Sequence, residues 1–184
     1  MKYHLKLFFL LFFYCSSQCQ LLAQQNNNLG NLWTKINGVK PENTVFVFLA
    51  TECPLCKNYS PVLREIADNY KEYQIVGVFP GKTYTAAQVS AYKKDYKINF
   101  KTVLDPKMEL TKLLNATVTP QAIVLSKLGK IVYSGAIDDK VISLGQQKTV
   151  TTKHYLKDAL NELREGKEVQ LAKTKPIGCY INDF

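Results

Sequence analysis

The chain has 184 residues, 46% of them hydrophobic and 21% charged, enough for one domain with a buried core and too few to require a second. Its 24 Lys and Arg against 15 Asp and Glu give a net charge of +9. That excess is spread along the chain with no dense basic block, which argues against nucleic-acid binding and for solubility or loose attraction to an anionic envelope.

Residues 1–23 open with Lys2 and Lys6, continue with an apolar run over residues 7–14, and reach the small residue Ala23 before a polar stretch. This is the layout of a cleaved secretory signal peptide, and the run is short for a bilayer span. An uncleaved anchor is the alternative. Lipid attachment at Cys15 or Cys19 is disfavoured by the bulky Tyr14 and Gln18 that precede them. Cleavage predicts an exported chain, periplasmic or extracellular. It leaves Cys53, Cys56 and Cys179 of five cysteines, and 22 basic against 15 acidic side chains, a balance of +7. An odd thiol in an oxidising compartment tends to be paired or used.

Residues 24–39 hold a polar linker and a short helix around Trp33. Residues 44–50 (TVFVFLA) form an unbroken apolar run, as a central strand buried on both faces requires. From Pro54 onward Val62, Leu63, Ile66, Ala67 and Tyr70 fall at helical spacing, and Pro61 is expected to kink that helix. A second strand at 74–79 ends at Pro80-Gly81. A helix capped by Thr85 spans 85–96, a short strand 100–104 and a short helix 107–114. Thr119-Pro120 then precedes QAIVLS, and Leu128-Gly129-Lys130 turns the chain into IVYSGA as a hairpin. A last helix over 154–164 places Leu156, Ala159, Leu160 and Leu163 on one face, with His154 at its exposed start. The pattern predicts an α/β sandwich, a central mixed sheet flanked by helices, over residues 40–165, followed by a C-terminal extension over 166–184 that carries Cys179.

The chemistry concentrates in TECPLCK, residues 51–57. A C-x-x-C pair placed after a buried strand and at a helix start is poised for redox work, because the unpaired N–H groups of the helix N-terminus stabilise a thiolate. Cys53 is the expected attacking residue, and Cys56, one turn on, the one that resolves a mixed disulfide. Pro54 suits the first helical turn, while Lys57 and Glu52 bring opposing charges. A zinc site from Cys53, Cys56, His154 and Cys179 is chemically allowed but has no second knuckle behind it. A purely structural disulfide across so short a loop would stabilise little.

The stretches VFVFLATECPLC and DPKMELTKLLNATVTPQAIVLSKLGKIVYSG, in that order, resemble the thioredoxin-like superfamily. Within it the chain is most similar to the exported redoxin branch, related to alkyl hydroperoxide reductase and thiol-specific antioxidant proteins. The likeness covers roughly residues 40–140, and residues 84–108 match the insertion that separates redoxins from plain thioredoxin. The resemblance implies that Pro120 is cis, faces the cysteines and, with Thr119, binds the extended backbone of a substrate. It also implies a protein disulfide or a peroxide as substrate and a membrane-bound or exported thiol as reductant, with no cofactor. Some residues depart from the pattern. Glu52 stands where thioredoxins have Trp, Val47 where they bury an acid, and Ala50 where a peroxiredoxin has Thr.

The tail resembles that of exported redoxin-domain proteins with a hairpin, an IDD stretch, a helix and a terminal Gly-Cys-x-Ile. Three roles stay open for Cys179: a resolving thiol for Cys53, a ligand for a soft metal, or a small packed residue. Asp138 and Asp139 are expected to form a solvated turn, the alternative being polar partners near the site. The sequence therefore points first to dithiol–disulfide exchange, with thiol peroxidase and soft-metal carrier as alternatives.

Overall fold

A computed structural model of the chain describes residues 43–181. The expected signal peptide, linker and Trp33 helix lie outside the described residues. No helix among the described residues is long and apolar enough to cross a membrane.

The centre is a five-stranded sheet. Strand β1 (Thr44–Phe48) runs parallel to β2 (Gln74–Pro80), and β2 runs parallel to β3 (Lys101–Asp105). On its other side β1 pairs antiparallel with β5 (Gln121–Leu125), and β5 with β6 (Ile131–Gly135). The order is thus β3-β2-β1-β5-β6. All five residues of β1 are buried, which is why its sequence shows no polar alternation. Val45 and Val47 point into a core shared with three helices: α1 (Pro54–Asn69), α2 (Ala86–Asp95) and, later in the chain, α4 (Tyr155–Arg164). Phe46 and Phe48 point to the opposite face with Val76, Val78, Ile123 and Leu125, all fully buried. The short helix α3 (Glu109–Leu113) follows β3.

Local signals account for the element ends. The Thr85 hydroxyl accepts from the Gln88 N–H while the Gln88 side chain accepts from the Thr85 N–H, a complete capping box for α2. Gly129 sits at φ 74° in the β5–β6 turn, a conformation that costs a side-chain-bearing residue more. Helix α1 continues through Pro61 without a break.

The C-terminal tail belongs to this fold. The Ser134 N–H donates to the Ala172 carbonyl and the Thr174 N–H donates to the Ser134 carbonyl, so residues 172–174 run along the outer edge of β6. A Cβ on Gly135 would fall 2.0 Å from the Thr174 Oγ1, so only glycine admits the tail there. Strand β9 (Cys179–Tyr180) then pairs antiparallel with β4 (Val118–Thr119), ahead of β5. A separate small hairpin joins β7 (Val141–Ser143) to β8 (Gln146–Gln147).

Candidate active site

The chain leaves the buried strand β1, makes a tight turn through Thr51-Glu52, and enters α1 with Cys53 as the N-cap residue and Pro54 at the first helical position. Cys53 therefore sits at a helix N-terminus where the Leu55 and Cys56 N–H groups have no partner one turn back within the helix; Pro54 has no N–H, and the Cys53 N–H donates to the Ala50 carbonyl at 3.4 Å. Cys56 lies one turn inside and is fully buried, its sulfur accepting from the Ala50 N–H at 3.4 Å. The Cys56 carbonyl is held from two sides, by the Ser60 hydroxyl at 3.0 Å and the Tyr92 hydroxyl at 3.0 Å. Tyr92 reaches it from α2, so two helices fix the height of the pair.

The second wall of the site is the peptide between β4 and β5. Thr119-Pro120 is cis, as the resemblance implies. Its Thr119 carbonyl accepts from the Cys53 thiol at 3.3 Å. In β9, Cys179 is the direct cross-strand partner of Thr119, and the Thr119 hydroxyl donates to the Cys179 carbonyl at 3.5 Å. Two further thiols, Cys56 from the same helix start and Cys179 from the tail, are thus gathered around Cys53, and no disulfide joins the three.

Their ionisation differs sharply. Cys53 is lowered to about 5, chiefly because the Cys56 thiol donates to its sulfur; burial opposes this, and the Cys179 thiol adds to it. Burial, then the neighbouring Cys53 anion, pushes Cys56 well above an ordinary thiol. Cys179 is raised to about 12 by burial first and by Cys53 second. One anion is shared among three sulfurs, and it resides on Cys53. Protonated, Cys53 donates to Thr119; ionised, it accepts from its two neighbours.

Around this centre, Glu52 is exposed and accepts from the Tyr84 hydroxyl at 2.8 Å and from the Thr51 hydroxyl at 3.0 Å. Its charge is directed towards those hydroxyls. Asp138 and Asp139 do not form the solvated turn expected of them. Asp138 is 5% exposed and accepts from the Tyr59 hydroxyl on α1 and from the Lys140 N–H. Asp139 accepts from the Lys148 ammonium, the Thr152 hydroxyl and the N–H groups of Thr152 and Lys153, which hold its carboxyl below the usual range. Burial of both is tolerated because every carboxylate has donors. Tyr59, Pro120 and Asp138 also line a cavity of about 260 Å³ beside the cis peptide. His154 caps α4 from an exposed position and is not part of the site. Among the described residues no group of three or more His, Cys, Asp or Glu side chains is placed to hold a metal ion.

Sequence reasoning missed the Thr119 carbonyl, the Tyr59–Asp138 pair and the role of Gly178. The last had a signal in the Gly-Cys-x-Ile ending. A Cβ on Gly178 would lie 2.2 Å from the Thr119 carbonyl oxygen, so the tail reaches β4 only because that residue is glycine.

A model of the AhpC/TSA family matches residues 33–134, more than half of the chain, from ahead of β1 through β6. The chain belongs to the AhpC/TSA family. Two solved structures resemble this AhpC/TSA protein along most of their length. An uncharacterised conserved protein from Geobacillus kaustophilus is 25% identical over 77% of both chains, with a TM-score of 0.68. A hypothetical protein from Sinorhizobium meliloti 1021 is 22% identical over 79% of this chain and 81% of its own, with a TM-score of 0.69. A secreted disulfide oxidoreductase from Mycobacterium tuberculosis overlaps less, 18% identical over 50% of this chain and 67% of its own at a TM-score of 0.45. No curated protein matches the sequence. The strand order, the flanking helices and the cis proline make the AhpC/TSA domain a thioredoxin-like sandwich.

Proposed function

We propose that this AhpC/TSA protein is an exported thiol–disulfide oxidoreductase working through Cys53 and Cys56. The observation that carries the reading is the N-cap position of Cys53, where its thiolate is favoured beside a second thiol that can resolve the intermediate. The Cys53 thiolate attacks one sulfur of a partner disulfide, the partner's other sulfur leaves as a thiolate, and Cys53 holds a mixed disulfide. Cys56 then gives up its proton and attacks the Cys53 sulfur. The partner's second sulfur departs, leaving the partner as a dithiol and a Cys53–Cys56 disulfide on the protein. Thr119 and Pro120 line the approach, and the adjoining cavity accommodates a partner side chain. A membrane or exported thiol restores the dithiol, with no cofactor and no nucleic acid involved.

Membership of the AhpC/TSA family supports a second reading, thiol peroxidase, in which Cys53 is oxidised to a sulfenic acid and a neighbouring thiol condenses with it. Ala50 speaks against it, since its side chain offers no hydroxyl beside the sulfurs. A soft-metal carrier is the least supported reading, given the donor placement among the described residues. A variant with both Cys56→Ser and Cys179→Ser, left with no second thiol to resolve, should accumulate a mixed disulfide between Cys53 and an exported protein, and the unmutated chain should reduce insulin-type disulfides. Fast peroxide consumption without either activity would replace the first reading by the second.

A further inference from the structure

With β9 in place, Cys53 is only 2% exposed, so the thiol best suited to attack is covered. What covers it has the geometry of a bound peptide. Residues 179–180 lie antiparallel to Val118–Thr119, extended, in register with the residue that precedes the cis proline. Alternation along β9 turns Cys179 inward to the Cys53 sulfur and leaves Tyr180 74% exposed. Gly178 permits that approach, because any side chain there would strike the Thr119 carbonyl. These are the relations that a partner chain presenting one half of a disulfide to Cys53 would have.

We propose that strand β9 is a tethered stand-in for the partner chain and that Cys179 is a third catalytic thiol, forming with Cys53 a second working disulfide that carries electrons between the buried Cys53–Cys56 pair and the outside. This rests on the thiol–disulfide reading above. Starting from the Cys53–Cys56 disulfide, the Cys179 thiolate attacks the Cys53 sulfur. The Cys53–Cys179 bond forms and the Cys53–Cys56 bond breaks. Cys56 leaves as a thiolate and takes up the proton that Cys179 gave up. Nothing is oxidised or reduced overall in this exchange. An external dithiol then attacks the Cys179 sulfur, which is half-buried where Cys56 is fully buried. Its second thiol closes the dithiol into a disulfide, and Cys53 and Cys179 are both released reduced. Run backwards, the same steps reduce an external disulfide to its dithiol and leave the Cys53–Cys56 pair oxidised.

The test uses the full chain with Cys15→Ser and Cys19→Ser, leaving three thiols, oxidised with diamide, alkylated and digested with trypsin without reduction. Cys53 and Cys56 share one tryptic peptide and Cys179 lies on another, so a disulfide between them is read directly by mass. The expected result is a linked pair of peptides in the three-thiol protein, which becomes the main product in Cys56→Ser. Gly178→Val should abolish the linked pair while the internal Cys53–Cys56 disulfide still forms, which also reports that the fold is intact. A Cys56→Ser protein that stays reduced, or that links only between molecules, overturns the proposal. Loss of the Cys53–Cys56 disulfide and of all disulfide-reducing activity would instead overturn the thiol–disulfide reading itself, so the two failures are distinct.

Discussion

Cys53 is a reactive thiol because of its surroundings. An ordinary cysteine is mostly protonated at neutral pH, whereas Cys53 is lowered to about 5 by donors from Cys56 and Cys179 that outweigh its burial. Alkylation of the reduced protein by iodoacetamide should therefore follow a titration with its midpoint near that value and stay flat through neutrality. Cys56→Ala, which removes the largest lowering cause, should move the midpoint upward. A midpoint unchanged by that substitution would leave the helix terminus as the dominant cause. The stability of the reduced protein follows with a definite sign. A thiol with a depressed folded pKa binds fewer protons when folded, so its contribution is complete above the unfolded value near 9 and is lost as pH falls through about 5. Cys56 and Cys179 act in the opposite sense, and their contribution is lost as pH rises from about 9. In urea unfolding, Cys53→Ser should remove the part of the stability increase between those two pH values that the thiol supplies.

Helix α1 is the element on which the site depends, and its position is fixed from outside itself. Its Tyr59 hydroxyl donates to the buried Asp138 carboxylate in the stretch after β6, and Lys157 of α4 bridges to Glu65 further along. Asp138→Ala would leave the Tyr59 hydroxyl buried without its acceptor and should cost about 1–3 kcal/mol in urea unfolding. Tyr59→Phe combined with Asp138→Ala should cost less than the sum of the two single changes, because the orphaned group is gone. Additive costs would mean that the pair contributes nothing as a pair. The aspartates show why an element's surroundings are hard to read locally. Two adjacent acids followed by lysine have the composition of an exposed turn. Their donors, Tyr59, Lys148 and Thr152, come from positions 9 to 79 residues away.

At the scale of the whole molecule, the sheet buries both faces of its central strand, and the tail closes one edge and one end of it. Phe46, fully buried on the face away from α1, should cost about 3–5 kcal/mol when changed to Ala. Leu128, 86% exposed in the β5–β6 turn, should tolerate Ser within about 0.5 kcal/mol. Thermal or urea unfolding of the two variants checks both, and a small loss at Phe46 would mean that the opposite face is loosely packed. The tail adds a dependency that runs the length of the chain. Residues 172–174 satisfy backbone groups of β6 that an edge strand would otherwise leave open, and this lays down the path by which β9 arrives beside the cis peptide.

The sequence by itself determined what depends on neighbours in the chain. The apolar run of β1, the C-x-x-C pair at the start of α1, the Thr85 cap and the Gly129 hairpin are all written within about ten residues of where they act, since strand burial, helix termini and turns are set by local pattern. The tertiary structure alone decided which groups meet across the fold. It set Cys53 against the Thr119 carbonyl 66 positions away, brought Cys179 into register with Thr119 across a 60-residue separation, and buried the two aspartates. Such contacts carry no periodicity for a sequence to display. They arise when a sheet edge, a cis peptide and a returning tail must satisfy one another's backbone groups at once.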